Sequence, residues 1–214
     1  MPNHVTHQVD ITGLTEVLKE FTQAHLCEHA GKYEGSLFSF QTLIPRPVAY
    51  DYTVSPSPLK KYFSTDPISQ ALLEELLTNG ASFDVLKRTF PEDVAANSWC
   101  AFKYGIGNWY DWSIVRWGTK WNAYNVEFLP TSDEHSIHFV FDTAWSVPSP
   151  IFEEIADLYP ELTFEIKALD EGYSFAYEIT IYEGEVEIAP IAEEEIPRFA
   201  KEHFGHLYED DEED

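Results

Sequence analysis

The residue types best suited to binding chemistry are concentrated between positions 105 and 150. Two aromatic segments lie there, Trp117-Gly118-Thr119-Lys120-Trp121-Asn122-Ala123 and Phe141-Asp142-Thr143-Ala144-Trp145-Ser146-Val147-Pro148. Indole rings offer broad surfaces for stacking and for the central contacts of protein interfaces. Each segment is expected at the edge of a strand. The candidate aromatic patch comprises Trp109, Trp112, Trp117, Lys120, Trp121 and Trp145.

This patch has two interpretations from sequence. If several rings stand on an open sheet face, they form a platform for a partner or a small ligand. The alternative is a small core beneath neighbouring elements, because large aromatic side chains contribute much of core stability. Gly118 and Thr119 predict a tight turn, and Lys120 is expected to pair with Asp142 on the adjacent strand.

Carboxylates dominate the charge of the chain. There are 38 Asp and Glu against 13 Lys and Arg, a net charge of −25, and the segment 153–214 alone carries 21 acids and 3 bases. This balance disfavours direct binding to nucleic acid or anionic lipid, because phosphate binding relies on Lys and Arg. It favours a basic partner, or simply a solvated face. The candidate acidic face comprises Glu178, Glu183, Glu185, Glu187, Glu193, Glu194 and Glu195.

Catalytic and metal-binding motifs are weak. The sequence has no GxSxG, Walker A or GxGxxG pattern. His25 and His29 have the spacing of a helical metal pair, but no HExxH order accompanies them. Cys27 and Cys100 are expected as free thiols. We therefore predict no catalytic residue, metal or cofactor, and a non-enzymatic protein is favoured.

Composition also bears on the compartment. The apolar content of 44 % is ample for a packed core, and no stretch approaches the roughly 20 apolar residues of a membrane span. The first residues lack the pattern of a signal peptide, and two cysteines make no disulfide framework. We therefore expect a cytoplasmic protein.

Periodicity predicts an α+β, ferredoxin-like architecture with the split βαβ order of elements. The predicted core covers about 1–43 and 109–188 of a single domain, 1–208, and 209–214 is an acidic disordered tail. A helical insertion is expected at about 45–104, with one helix starting at Asp66-Pro67 and another over about 94–102. The remaining predicted elements are strands at 5–11, 125–129, 137–141, 162–168 and one long strand at 173–181, and helices at 14–27, 148–158 and 193–204.

Three features of the sequence together carry a family resemblance. They are Met1-Pro2-Asn3 leading into a strand, the segment 117–123, and the segment 141–150 followed by a helix. In these the chain resembles the YubB-like ferredoxin-like family encoded by phages and plasmids, over about 1–43 and 109–188. Family members usually have Trp and Cys after Pro-Asn, where this chain has His4 and Val5. The resemblance implies the fold and a mobile-element origin, but no biochemical activity.

Three functional hypotheses follow. In the first, a non-enzymatic accessory protein binds a host or element protein through the acidic face or the aromatic patch, as a possible mimic of nucleic acid. Its partner is then a basic, nucleic-acid-binding protein. In the second, the exposed sheet forms a homodimer with a structural or regulatory role. In the third, a pocket around the tryptophans binds a small ligand or catalyses a reaction.

Overall fold

Six strands and eight α-helices make up the described chain, which in this computed structural model comprises residues 3–27, 37–130, 133 and 135–205. Short 3₁₀ helices lie at Phe40–Thr42, Val48–Tyr52 and Glu193–Glu195. None of the helices in these ranges is long and apolar enough to cross a membrane. In chain order the elements are β1 (His4–Thr12), α1 (Thr15–His25), α2 (Leu59–Thr65), α3 (Pro67–Thr78), α4 (Phe83–Thr89), α5 (Glu92–Tyr104), α6 (Trp109–Trp117), β2 (Tyr124–Leu129), β3 (Ser136–Ala144), α7 (Ser149–Leu158), β4 (Thr163–Asp170), β5 (Ala176–Tyr182), β6 (Glu185–Pro190) and α8 (Ile196–His203).

The chain divides into two compact units. One comprises Met1–Ile44 and Trp117–Asp214, and we call it the sheet unit. The other, Pro45–Arg116, contains most of the helices, and we call it the helical unit. The predicted tail, 209–214, lies outside the described residues.

The sheet has the strand order β2-β3-β1-β4-β5-β6, and each neighbouring pair is antiparallel. Its first four strands, with α1 after β1 and α7 after β3, form the split βαβ arrangement. The predicted ferredoxin-like α+β fold is therefore confirmed. β5 and β6 extend the sheet beyond β4.

The strand predicted at 173–181 is observed, but it starts three residues later than predicted. Tyr173 has a φ of 56° in the turn after β4, and β5 begins only at Ala176. Glu183 and Gly184, with φ of 51° and 79°, then form a two-residue turn into β6. Positive φ at both central positions is typical of the tight hairpin turn whose twist matches the flanking strands.

One face of the sheet packs against α1 and α7. Val5, His7, Val9 and Ile11 of β1 are all buried on this face, as the alternating pattern predicts. Phe21 of α1 lies edge-on to Phe164 of β4, and Phe152 and Ile155 of α7 are also buried. Phenylalanines and aliphatic residues of this core line a void of about 10 Å³, roughly the space of one water molecule.

The opposite face of the sheet, which we call the open face, carries α8 at one end. Leu169 of β4 and Ala176 of β5 are buried there with Ile196, Phe199 and Phe204. The predicted helix at 193–204 is observed, but its first three residues form a 3₁₀ turn and α8 ends at His203. α8 therefore covers only the end of the open face where β5 begins.

The helical unit has a core of its own. Asp66 accepts a hydrogen bond from the Ser69 backbone N–H at 3.1 Å and Pro67 opens α3, as predicted. The predicted helix at 94–102 is also confirmed, within the longer α5. The buried cluster comprises Leu73, Leu77, Leu86, Phe90, Val94 and Ala95.

Three helices were not predicted, and α6 changes the setting of Trp117. This residue ends a helix, and the segment 117–123 then leads directly into β2 at Tyr124, at the strand edge that the sequence predicted. The sequence of α6, Trp109–Trp117, is rich in aromatic and branched residues that do not distinguish a helix from a strand over so short a length.

Candidate functional site

The structure distributes the predicted aromatic patch over both units. Trp109 is half-buried and Trp112 is buried, and both belong to the helical unit. Trp117 is fully buried in the sheet unit, where its indole N–H donates to the Ile44 carbonyl at 2.9 Å. Trp121 and Trp145 remain exposed, at 38 % and 43 %. Within the sheet unit, the structure brings Trp121 and Trp145 together around Lys120.

Lys120 lies against both exposed indoles. Its ammonium nitrogen is 4.5 Å from the centroid of the Trp121 ring and 4.8 Å from that of Trp145. Both distances are within the range of a cation–π interaction, in which the ring face attracts a positive charge. We call these three residues the indole cage. Asp142 instead accepts hydrogen bonds from Thr6 and Asn125, both at 2.8 Å, so its predicted pairing with Lys120 is not formed.

Hydrogen bonds between the two aromatic segments hold the cage in place. The buried Thr119 hydroxyl donates to the Ala144 carbonyl at 2.8 Å. The Ser146 hydroxyl donates to the Gly118 carbonyl at 2.6 Å. The Thr143 hydroxyl donates to the Ser146 carbonyl at 2.7 Å, which fixes the turn after β3. The segments noted in the sequence are thus parts of one local structure.

Trp145 has a strained backbone. Its φ is 70°, in the left-handed region that bulky residues rarely occupy. Such a conformation costs about 1–3 kcal/mol and persists only where the surroundings fix it. Its backbone N–H donates to the Asn3 carbonyl at 3.0 Å, which helps to hold the half-exposed ring beside Lys120.

The second candidate surface is on the open face of the sheet. Residues paired across neighbouring strands point to the same side, so the register places Glu178, Glu185 and Glu187 together. All three are exposed. Neighbouring residues on one face of a strand are roughly 7 Å apart, and neighbouring strands about 5 Å apart. These carboxylates therefore form a closely spaced negative surface.

Besides Asp142, which accepts hydrogen bonds from Thr6 and Asn125, three further carboxylates belong to this face, and the sequence did not reveal them. Glu165 of β4 pairs with Thr180, on the side of Glu187, and Asp10 of β1 pairs with Glu165. Glu127 of β2 lies farther across the same face. Only the strand order brings these positions together, because they are far apart in the chain. We call the six residues the acidic sheet face: Asp10, Glu127, Glu165, Glu178, Glu185 and Glu187.

Lys167 is the one Lys or Arg that the six described strands place on this side, opposite Glu178. The directly opposed Asp10 and Glu165 have Cβ atoms about 5 Å apart, and like charges in this position are destabilising. The contact of His138 with Asp10 offsets part of this repulsion, and a positively charged partner would relieve the rest.

The other predicted acids flank this face. Glu183 lies in the β5–β6 turn. Glu193, Glu194 and Glu195 are exposed in the 3₁₀ turn before α8. Because the Ile191 N–H donates to the Ala176 carbonyl, this turn follows the end of the sheet opposite Glu183. Negative charge thus continues beyond both ends of β5 and β6.

Asp10, His138 and Ser136 form a hydrogen-bonded line on the open face. The His138 Nδ1 contacts the Asp10 carboxylate, and its Nε2 is 3.1 Å from the Ser136 hydroxyl oxygen. The order matches that of a hydrolase triad, but the serine hydroxyl donates to the Asp133 carbonyl at 3.3 Å. Ser136 is also buried, so its hydroxyl is not accessible to a substrate, and we assign the line to cross-strand structure.

The remaining titratable candidates are internal. Both nitrogens of His25 have partners, the Thr42 hydroxyl at 2.8 Å and the Tyr159 hydroxyl at 2.9 Å, and His29 lies outside the described residues. Burial raises the pKa of Cys100 to about 12, which keeps it a thiol at neutral pH. Within the described ranges, His, Cys, Asp and Glu form no group of three or more that could hold a metal ion.

Comparisons with known proteins bear on the sheet unit. Residues 116–213 match the family model for the ferredoxin-like domain in Api92-like protein. The chain is also similar to the crystal structure of a protein api92 from Yersinia pseudotuberculosis, with a TM-score of 0.45, 8 % sequence identity, and coverage of 90 % of this chain and 99 % of that chain. A search of curated proteins gave no match.

The matched domain spans β2 to α8 and therefore includes the indole cage and most of the acidic sheet face. The match supports the ferredoxin-like fold and associates the domain with Api92-like protein, a description that names no activity. The YubB-like label and the mobile-element origin stay predictions.

Proposed function

We propose that the chain is a non-enzymatic protein-binding module whose acidic sheet face binds a basic surface of a partner protein, in place of nucleic acid. The observation that supports this function best is the convergence of Asp10, Glu165, Glu178, Glu185 and Glu187 on one side of the sheet. A positive groove on a partner would neutralise these carboxylates, as it neutralises phosphates.

The distribution of charge over the two units supports the same surface. The helical unit has 8 acidic and 7 basic residues, a net charge of −1. Subtraction from the totals of 38 and 13 leaves the sheet unit 30 acidic and 6 basic residues, a net charge of −24. The long-range attraction for a basic protein thus originates in the unit that carries the acidic sheet face.

The proposed partner is a nucleic-acid-binding protein, because its groove already accommodates closely spaced negative charges. In this proposal the chain is an accessory protein of a phage or plasmid and acts in the cytoplasm of the host. Its YubB-like resemblance is the source of that part of the proposal.

Capture from lysate tests the proposal. The tagged protein is incubated with nuclease-treated host lysate at about 50 mM and about 500 mM NaCl. We expect a nucleic-acid-binding protein to be retained at low salt, and to be released by high salt or by added duplex DNA. A variant with Glu178→Gln, Glu185→Gln and Glu187→Gln is expected to lose most of this capture.

A matched control variant distinguishes the effect of the acidic sheet face on capture from the effect of the net charge. Glu74→Gln, Glu75→Gln and Asp84→Asn remove three exposed charges from the helical unit and should leave capture almost unchanged. Equal loss of capture in both variants would show that the acidic sheet face acts only through the net charge of the protein. Retention only of proteins that do not bind nucleic acid would contradict the proposed partner class.

Self-association through the exposed sheet is the alternative. The like charges of the acidic sheet face disfavour a face-to-face dimer, and both sheet edges disfavour pairing edge to edge. The pairing of β2 with β3 is irregular between Tyr124 and Glu127, and Asn125 has a φ of 51°. At the other edge β6 carries two glutamates and ends at Pro190. Bulges, charged side chains and proline all prevent edge-to-edge pairing.

We therefore expect a monomer in solution. Light scattering coupled to size-exclusion chromatography should give a mass near 24.6 kDa at both low and high salt. A doubled mass at low salt would contradict the monomer, and its persistence at high salt would favour an apolar dimer interface.

A further inference from the structure

The indole cage is a built site that already holds a cation. Trp121 and Trp145 come from two separate segments, and the ammonium of Lys120 lies within 5 Å of both ring centroids. The spacing of the rings is therefore suited to a positively charged group. Both rings are also partly exposed to solvent.

The cage adjoins the open face of the sheet. The Trp121 ring lies 6.3 Å from that of Tyr124, measured between centroids, and Tyr124 pairs with Asp142 on the open side of β2 and β3. A protein docked on the acidic sheet face would thus have the two indoles at the border of its footprint.

We propose that the indole cage binds an arginine side chain of the basic partner, and that Lys120 is a resident cation that this arginine displaces. The inference rests on the proposed function, since that function supplies a basic partner. Arginine is the expected occupant because its planar guanidinium stacks on aromatic faces and is more weakly hydrated than an ammonium group.

The position of Lys120 makes displacement feasible. The lysine side chain is long and flexible, and no carboxylate in the described ranges forms an ion pair with it. Removing the resident charge should therefore open the site, whereas removing the rings should abolish it. The two kinds of substitution have opposite expected effects.

Two labelled hexapeptides, one of arginine and one of lysine, serve as probes in fluorescence anisotropy at low salt. Wild type should bind the arginine peptide roughly two- to five-fold more tightly than the lysine peptide. Lys120→Met should strengthen binding of the arginine peptide by a similar factor. The double variant Trp121→Ala, Trp145→Ala should lose the preference for the arginine peptide. Its affinity for the lysine peptide should be unchanged.

Phe102→Ala, which removes an exposed aromatic ring from the helical unit, is the matched control and should change neither affinity. Trp145→Phe keeps an aromatic face and should retain part of the preference, which separates loss of the site from loss of folding. Near-ultraviolet circular dichroism checks that each variant remains folded.

The outcomes separate the two proposals. One outcome is tight binding of both peptides with no preference for arginine, unchanged by the tryptophan substitutions. It would overturn the proposed arginine site in the indole cage but would agree with binding of basic peptides by the acidic sheet face. Failure of wild type to bind either peptide at low salt would overturn both. Weaker binding of the arginine peptide by Lys120→Met would overturn the displacement of a resident cation.

Discussion

Gly118→Ala is expected to lower the free energy of unfolding by about 3 kcal/mol. Gly118 has a φ of 78°, and a Cβ there would lie 2.7 Å from Pro150 Cδ and 3.1 Å from the Ser149 backbone nitrogen. The left-handed conformation and the steric clash each cost roughly 1–3 kcal/mol, and neither neighbour can rotate away. Urea denaturation followed by circular dichroism measures the change.

Gly184→Ala provides the control within the same unit. Gly184 has nearly the same φ, 79°, but a Cβ there would meet its nearest atoms at 3.6 Å, an ordinary contact distance. This substitution should lower the free energy of unfolding by about 1 kcal/mol, from the backbone conformation alone. Equal destabilisation by the two substitutions would show that the close approach of Gly118 to the start of α7 does not constrain the chain.

His7→Phe is expected to make the protein less sensitive to acid. His7 is fully buried, stacks on Phe141 at 4.5 Å between ring centroids, and has no partner at hydrogen-bonding geometry for either ring nitrogen. Burial lowers the pKa of His7 from its ordinary value of 6.5 to about 3, and nearby backbone groups of Phe141 and Val5 only partly oppose this shift.

The sign of the pH dependence follows from the protonation of His7 in the folded and in the unfolded state. Between pH 6.5 and about 3 the unfolded chain binds a proton at His7 that the folded protein does not, so stability falls as the pH falls. From pH 7.5 to pH 5.5, the loss is about 1.4 kcal/mol, and phenylalanine removes it. This range avoids the isoelectric point near 4.4.

Urea denaturation at both pH values checks the expectation, with the exposed His135→Gln as control. The control should keep the pH dependence of wild type, whereas His7→Phe should reduce it by the amount given above. An unchanged pH dependence in His7→Phe would mean that the folded protein accommodates a charged imidazole at this position.

Several elements could be predicted because their signals are local. Val5 to Ile11 alternate strictly, which a half-buried strand requires, and the residues of α1 recur with helical spacing. Asp66-Pro67 carries both the cap and the fixed φ of a helix start. Such signals need no knowledge of the rest of the chain.

The β5–β6 hairpin was missed because Glu183-Gly184 is not one of the common turn pairs, such as Asn-Gly or Asp-Gly. Within the acidic sheet face, Glu178, Glu185 and Glu187 could be selected from one stretch of sequence. Asp10 and Glu165 could not, because they join the face only through the order of the strands.

The setting of the tryptophans also depended on tertiary structure. Trp117 and Trp121 flank the same short turn, yet one is fully buried and the other is exposed. Lys120 was predicted to pair with Asp142 because residues of opposite charge can be recognised in a sequence. Its contact with Trp145 instead depends on the hydrogen bonds that join two segments more than twenty residues apart.

The central claim is that carboxylates on one face of the sheet take the place of nucleic acid on a basic partner. The most direct test is a competition titration, in which the purified captured partner, bound to labelled duplex DNA, is challenged with wild type, the Glu178, Glu185 and Glu187 triple variant, and the helical-unit control. We predict displacement of DNA by wild type and by the control, with a strong dependence on salt, and much weaker displacement by the triple variant. Simultaneous binding of DNA and wild type to the partner would contradict the claim.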